Sequence, residues 1–135
     1  MADETTTLAH LRRRVAEFVA ARDWEQFHTP RNLSVSIAIE AAELLECFQW
    51  LTDEQAMAAV RDKAQQAAIA DELADVLIYG LSLANALGVD VSTIVLDKLE
   101  RNERRFPVEK WRGRWTLEEL GRSSHHPRYK RQKDR

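Results

Sequence analysis

The chain has 135 residues and a single cysteine, so it has room for one core rather than two and cannot form an internal disulfide. Apolar residues at 44% and charged residues at 31% exclude an intrinsically disordered chain and match a globular one. The net charge of −2 hides a segregation: residues 121–135 hold six Lys/Arg against one acid, a local +5, and leave the first 120 residues at −7.

The opening MADETTTLAH has neither a basic start nor an apolar run, so no secretory signal is expected. From Thr7 to Arg22, the residues Leu8, Leu11, Val15, Phe18 and Val19 recur at helical spacing and predict an amphipathic helix. DWEQFHTPRN then reads as a connection. Within it, Thr29 is a helix cap and Pro30 takes the first helical position, where its missing N–H is harmless. The helix that starts there is predicted to reach Trp50, with Cys47 inside it as a small buried hydrophobe suited to a reducing cytoplasm.

Thr52-Asp-Glu-Gln55 has the form of a capping box and opens a short helix to about Arg61. A long helix follows over Lys63–Leu87, stopped by Gly88. Asp90 caps another, which carries Val91, Ile94, Val95 and Leu99 and ends before Pro107. The stretch PVEKWRGRWTLEELGR is read as irregular with one short turn, and Trp111 and Trp115 as structural. GRSSHHPRYKRQKDR, residues 121–135, is expected to be a disordered basic tail, with contact to phosphates or nucleic acid as its functional alternative. The longest uncharged run, Val76–Val89, is 14 residues, too short and too polar to span a bilayer.

No strand pattern survives, so the expected fold is all-α: an antiparallel four-helix bundle forming one domain over residues 1–120. The helices from Pro30 and from Lys63 are apolar nearly all round. Two neighbours cannot cover such helices, and a homo-oligomer is expected.

Those same apolar helices carry paired acids, Glu40 with Glu43 and Glu72 with Asp75. Residues three apart lie about 60° apart around a helix, so each pair projects from one face. If the two helices pack side by side, four carboxylates converge, lose hydration and repel. Protonation or a hard divalent cation relieves that; oxygen-only donors favour Mg²⁺ or Mn²⁺ over zinc. The ordinary alternative is a solvated acidic face, and Glu46 extends the row from Glu40 and Glu43. A di-iron bundle needs two Glu-x-x-His motifs. The chain has one, Glu25 to His28, and it lies in the connection.

The blocks RDWEQFHTPRNL, ECFQW, DELADVLIY and KLERNERRFP, in this order with the ExxE and ExxD pairs, resemble the MazG-like all-α nucleoside triphosphate pyrophosphatases, in particular their dCTP pyrophosphatase branch. The resemblance covers about residues 8–108. It implies a Mg²⁺-dependent nucleotide pyrophosphohydrolase that splits a nucleoside triphosphate, dCTP or a modified dCTP first, into monophosphate and pyrophosphate. Glu40, Glu43, Glu72 and Asp75 would hold the metal, and Glu43 would also orient or deprotonate the attacking water. Lys98, Asn102 and Arg105, one stripe of a helix, would contact the triphosphate. Trp24, His28, Trp50 and Tyr79 would enclose base and sugar. The family also implies dimers or tetramers, and nucleotide pool sanitation in the cytoplasm as the task. Two departures stand out: Val15 replaces a histidine that contacts substrate in that branch, and Phe106 replaces a tyrosine. A rival reading from another class is a non-catalytic helical homodimer acting as a regulatory or nucleic-acid-associated partner.

Overall fold

The computed structural model describes residues 1–113, and every regular element among them is helical. The elements are α1 (Ala2–Thr5), α2 (Leu8–Ala20), a single 3-10 turn (Glu25–Phe27), α3 (Pro30–Glu46), α4 (Asp53–Ala59), α5 (Lys63–Leu87), α6 (Val91–Arg105) and α7 (Val108–Trp111). The chain divides into two compact units, Met1–Val91 and a second that starts at Ser92. No single described helix is long and apolar enough to cross a membrane. The basic segment 121–135 and Trp115 lie outside the described residues.

Helix starts follow their caps. Thr7 accepts from the His10 amide at 3.1 Å, Thr29 from Asn32 at 3.2 Å and Asp62 from Gln65 at 2.9 Å. Thr52 and Gln55 exchange both bonds of a capping box. Each such cap is worth about 1 kcal/mol, because it satisfies an amide that has no partner within its helix. At the far end of α5, Gly88 adopts φ 64°, a left-handed conformation that a Cβ would strain.

Two boundaries differ from the sequence reading. Ala2–Thr5 forms a short helix capped by Met1, whose terminal ammonium meets Glu4 at 3.0 Å, a charge contact that periodicity does not reveal. Helix α3 stops at Glu46 instead of Trp50. Beyond it the chain tightens into turns, with Phe48 N–H on the Leu45 carbonyl and Leu51 N–H on the Phe48 carbonyl. Aromatic side chains at Phe48 and Trp50 support a helix poorly. Cys47 therefore sits at the helix end, half-buried rather than buried, its thiol 3.7 Å from the Glu43 carbonyl.

In the first unit, α3 packs along α5, and α2 packs on α5 as well. The second junction is pinned by polar groups. Arg12 Nε donates to Asn85 Oδ1 at 2.9 Å and Arg12 Nη2 to the Ala84 carbonyl at 3.4 Å, while Asn85 Nδ2 returns a bond to the Arg12 carbonyl at 3.0 Å. The fully protected core is small: Leu33, Val19, Ala84 and Ala59, with Ser82 as its polar member. Val35, Ile39, Leu45, Leu73 and Leu77 stay exposed on α3 and α5.

Candidate active site

Glu40 and Glu43 stand one turn apart on α3; Glu72 and Asp75 stand one turn apart on α5. Because those helices pack together, the pairs meet. Glu40, Glu43 and Glu72 each offer a carboxylate oxygen, and the three oxygens lie within 4.8 Å of one another. Glu40 and Glu72 are half-buried while Glu43 is exposed. Asp75 is outside that triad of oxygens, yet close enough for its charge to act on both Glu40 and Glu72.

The electrostatic result is a site that resists its own charge. Loss of hydration raises the Glu40 carboxyl above its ordinary range, and the charges of Glu43, Asp75 and Glu72 add to the rise. Glu72 is raised likewise, first by desolvation and then by Glu43, Asp75, Asp71 and Glu46. One Glu72 oxygen, Oε2, is buried without any hydrogen-bond partner. A buried anionic oxygen left unpaired is among the costliest arrangements a fold tolerates. A divalent cation is the partner that suits this set: all-oxygen donors, closely spaced, one of them unsatisfied and all of one sign. The residues present fit such an ion.

Beside the carboxylates, Asp75 forms part of the wall of a cavity of about 480 Å³. Its remaining walls come from α2 (Arg14, Val15, Phe18, Val19), from the connection (Trp24, His28) and from α5 (Ile78, Tyr79, Ser82). That volume falls within the range of small-molecule sites, roughly 300–1,000 Å³. The His28 and Tyr79 rings lie 6.4 Å apart at 37°, and Phe18 meets Trp24 edge-on at 6.0 Å. The Arg22 guanidinium covers the Phe18 ring at 3.6 Å from its centroid and bonds the Phe18 carbonyl, which holds that wall in place.

Of the aromatic residues expected around a base, Trp24, His28 and Tyr79 line this cavity. Trp50 does not; at the end of α3 it is 85% exposed. In the second unit Lys98, Asn102 and Arg105 form a stripe on α6, with Lys98 exposed and the other two half-buried. Arg105 Nε is buried with no partner, and its guanidinium lies 4.8 Å from the Phe106 ring, which in turn packs edge-on against Trp111 at 5.1 Å. Glu100 and Arg104, also on α6, form an ion pair at 2.6 Å, the ordinary helical pairing their spacing predicts.

The sequence reading missed Ser82, Phe18 and Ile78 as cavity walls. For Ser82 a signal existed: Asp75, Tyr79 and Ser82 fall at i, i+4 and i+7, a single stripe of α5.

Comparison with known proteins agrees with the carboxylate pattern. Residues 35–115 match the MazG-like family. The chain is 47% identical over 107 residues to dCTP pyrophosphatase 1 of Bos taurus, covering 79% of this chain and 63% of that protein. It is 48% identical over 102 residues to dCTP pyrophosphatase 1 of Homo sapiens, covering 76% and 60%. The chain thus spans rather less than two thirds of the length of these relatives. The crystal structure of a pyrophosphatase from Archaeoglobus fulgidus is similar with a TM-score of 0.65 and 40% identity, over 69% of this chain and 85% of that one. With α5, most of α3 and both of their acid pairs inside the matched segment, this chain belongs to the MazG-like family.

Proposed function

We propose that the protein is a Mg²⁺-dependent nucleotide pyrophosphohydrolase that converts a (deoxy)nucleoside triphosphate, dCTP or a close analogue first, to the monophosphate and pyrophosphate. The observation that carries this reading is the triad of Glu40, Glu43 and Glu72 oxygens, with an unpaired Glu72 oxygen, beside a cavity sized for a nucleoside. The printed activity of the relatives, dCTP pyrophosphatase, supplies the substrate class.

In this reading Glu40, Glu43, Glu72 and Asp75 would hold the metal, which would supply positive charge against the triphosphate. Glu43, the most accessible of the triad, orients the attacking water and accepts its proton as the new P–O bond forms. The pyrophosphate leaves with the electron pair of the broken P–O bond. Lys98, Asn102 and Arg105 contact the triphosphate; guanidinium and ammonium groups suit phosphate oxygens. Trp24, His28 and Tyr79 take the base and sugar. The exposed apolar residues of α3 and α5 support a homo-oligomer, a dimer or tetramer, and a reducing cytoplasm suits its free Cys47.

The test is pyrophosphate release from the eight common nucleoside triphosphates and from methylated dCTP, with Mg²⁺ and with EDTA. Mg²⁺-dependent release, strongest for a cytosine nucleotide, is expected. Absence of release from all of them would end the proposal.

A further inference from the structure

Helix α2 ends on a turn that holds a non-glycine residue in the left-handed region. Asp23 has φ 54°, a conformation in which a side chain crowds its own backbone, so it persists only where the surroundings fix it. The surroundings of Asp23 do so from both sides. Its N–H bonds the Ala20 carbonyl at 3.0 Å and the Trp24 N–H bonds the Val19 carbonyl at 3.1 Å, the two bonds that close a helix over a left-handed residue. From the following turn, Gln26 Nε2 donates to the Asp23 carbonyl at 3.0 Å and to Asp23 Oδ2 at 3.1 Å.

Such an ending brings the residue after the left-handed one back against the last turn of the helix. That residue is Trp24, and its ring meets Phe18 edge-on at 6.0 Å. Arg22 completes the arrangement. Its Nη1 donates at 2.9 Å to the Phe18 carbonyl, one of the last carbonyls of α2, which helical bonding leaves open. Its guanidinium carbon lies 3.6 Å from the centroid of the Phe18 ring and 5.9 Å from that of the Trp24 ring. One cation thus spans both rings and ties the first of them to the backbone. This cluster is not core: Phe18, Trp24 and Arg22 are all exposed, with Phe18 at 50%. Phe18 and Trp24 are nevertheless walls of the cavity of about 480 Å³, and Arg22 is not.

We infer that Arg22 is a positioning residue for the nucleotide base: by clamping Phe18 it holds the Trp24 ring where the base meets it. This inference rests on the nucleotide reading above, in which Trp24 takes the base, and adds the group that keeps Trp24 in place. A ring this exposed has no core to order it. Only molecules with the ring in place bind the base fully, so apparent affinity scales with their fraction.

The test uses the full chain with Arg22→Ala, Arg22→Lys, Trp24→Ala and the double variant of Arg22→Ala with Trp24→Ala. Calorimetry measures binding of the tightest of the four deoxynucleoside monophosphates and of 2-deoxyribose 5-phosphate, which has no base. Arg22→Ala is expected to weaken the monophosphate about fivefold, the upper end for an exposed cation–ring contact, and to leave deoxyribose phosphate unchanged. Arg22→Lys keeps the charge without the flat group that stacks, and falls between parent and alanine. In the Trp24→Ala background Arg22→Ala has no further effect, because no ring is left to hold. In turnover the KM of Arg22→Ala rises about fivefold while kcat stays, since the carboxylates are untouched. Unchanged monophosphate affinity in Arg22→Ala overturns the inference. So does an equal loss for the base-free ligand, or the same loss with and without Trp24, either of which makes Arg22 a general structural support. A parent that binds no monophosphate overturns it too. Pyrophosphate release by the parent is scored separately. Release with unaltered Arg22→Ala binding defeats this inference alone; Trp24-dependent binding without release defeats the activity and leaves Arg22 standing.

Discussion

Arg12 and Asn85 bond each other twice: the Arg12 Nε donates to the Asn85 side-chain oxygen at 2.9 Å, and the Asn85 amide donates to the Arg12 carbonyl at 3.0 Å. Both are partly buried and 73 residues apart in sequence. This clasp fixes how α2 lies on α5, and so where Val15 and Val19 stand against Ser82 in the cavity wall. Removing either side leaves a charged or amide group unpaired, at a cost of about 1–3 kcal/mol. Asn85→Ala and Arg12→Ala are each expected to lower the thermal midpoint by several degrees. The double variant should lose less than their sum, a coupling measured by a double-mutant cycle. Additive losses would mean that the pair does not act as a unit.

The acid cluster predicts an inverted pH response for the metal-free protein. Glu40 and Glu72 hold protons more tightly folded than unfolded, since desolvation and neighbouring charge raise both above the ordinary value of 4.5. A group whose folded pKa is raised favours the fold at low pH. Its penalty grows as pH climbs from 4.5 through the raised pKa and stays in full above it. Glu72→Gln removes one such charge. In EDTA its thermal midpoint should exceed the parent's at about pH 8, with the difference shrinking toward pH 4.5. A difference independent of pH, or one that grows as pH falls, would contradict the electrostatic account. Saturating Mg²⁺ should reverse the order, because the parent then gains a ligand that the glutamine variant holds poorly.

Metal binding and turnover can be separated by variant. Mg²⁺ at 100 times its Kd should stabilise the parent by about 2.7 kcal/mol through mass action. Asp75→Ala and Glu43→Ala should lose most of that gain. Glu43→Ala should lower the rate of pyrophosphate release by about 10²–10⁴, the usual contribution of a general base. Helical content by circular dichroism should be retained in both, since Glu43 and Asp75 are exposed on their helices and support no core contact. Parental turnover in either variant would remove these residues from the site.

These outcomes bear on what the sequence can disclose. Local chemistry marked several helix ends: Thr29, Thr52 and Gly88 each act within a few residues, and each reads correctly. The end of α3 did not, because Cys47 to Trp50 carries no Gly or Pro, and the turn there follows from weak helical propensity alone. The acid pairs were legible for a similar reason, as i, i+3 spacing is a local property. That Glu40, Glu43 and Glu72 share a point in space required α3 to pack on α5, a long-range contact that spacing within either helix does not reveal. Ser82 shares the α5 stripe of Asp75 and Tyr79, but a serine among leucines does not reveal in sequence whether its hydroxyl finds a partner. Trp50 shows the converse: a motif can name a residue, but the local turn decides where the ring goes, and here it lies in solvent.

That exposed ring is one of many. Val35 and Ile39 on α3, and Leu73 and Leu77 on α5, repeat at i, i+4 and are each about half exposed, with Leu77 at 58%. Single exposed apolar residues are normal, but two stripes on the two helices that carry the site are not. Full burial of such a side chain contributes about 1.5–3 kcal/mol, so four of them supply the driving force of a stable interface between copies. The protein is expected to sediment as a dimer or tetramer. Leu77→Lys, or Val35→Lys with Ile39→Lys, should shift it toward the 15.6 kDa monomer. Leu77 lines no cavity described above and is not three or four residues from either acid of α5, so Mg²⁺ binding measured on the Leu77→Lys monomer reveals whether one chain suffices to hold the ion. A parent that already sediments at the monomer mass would show that the stripes are covered by nothing, and the oligomer would have to be given up.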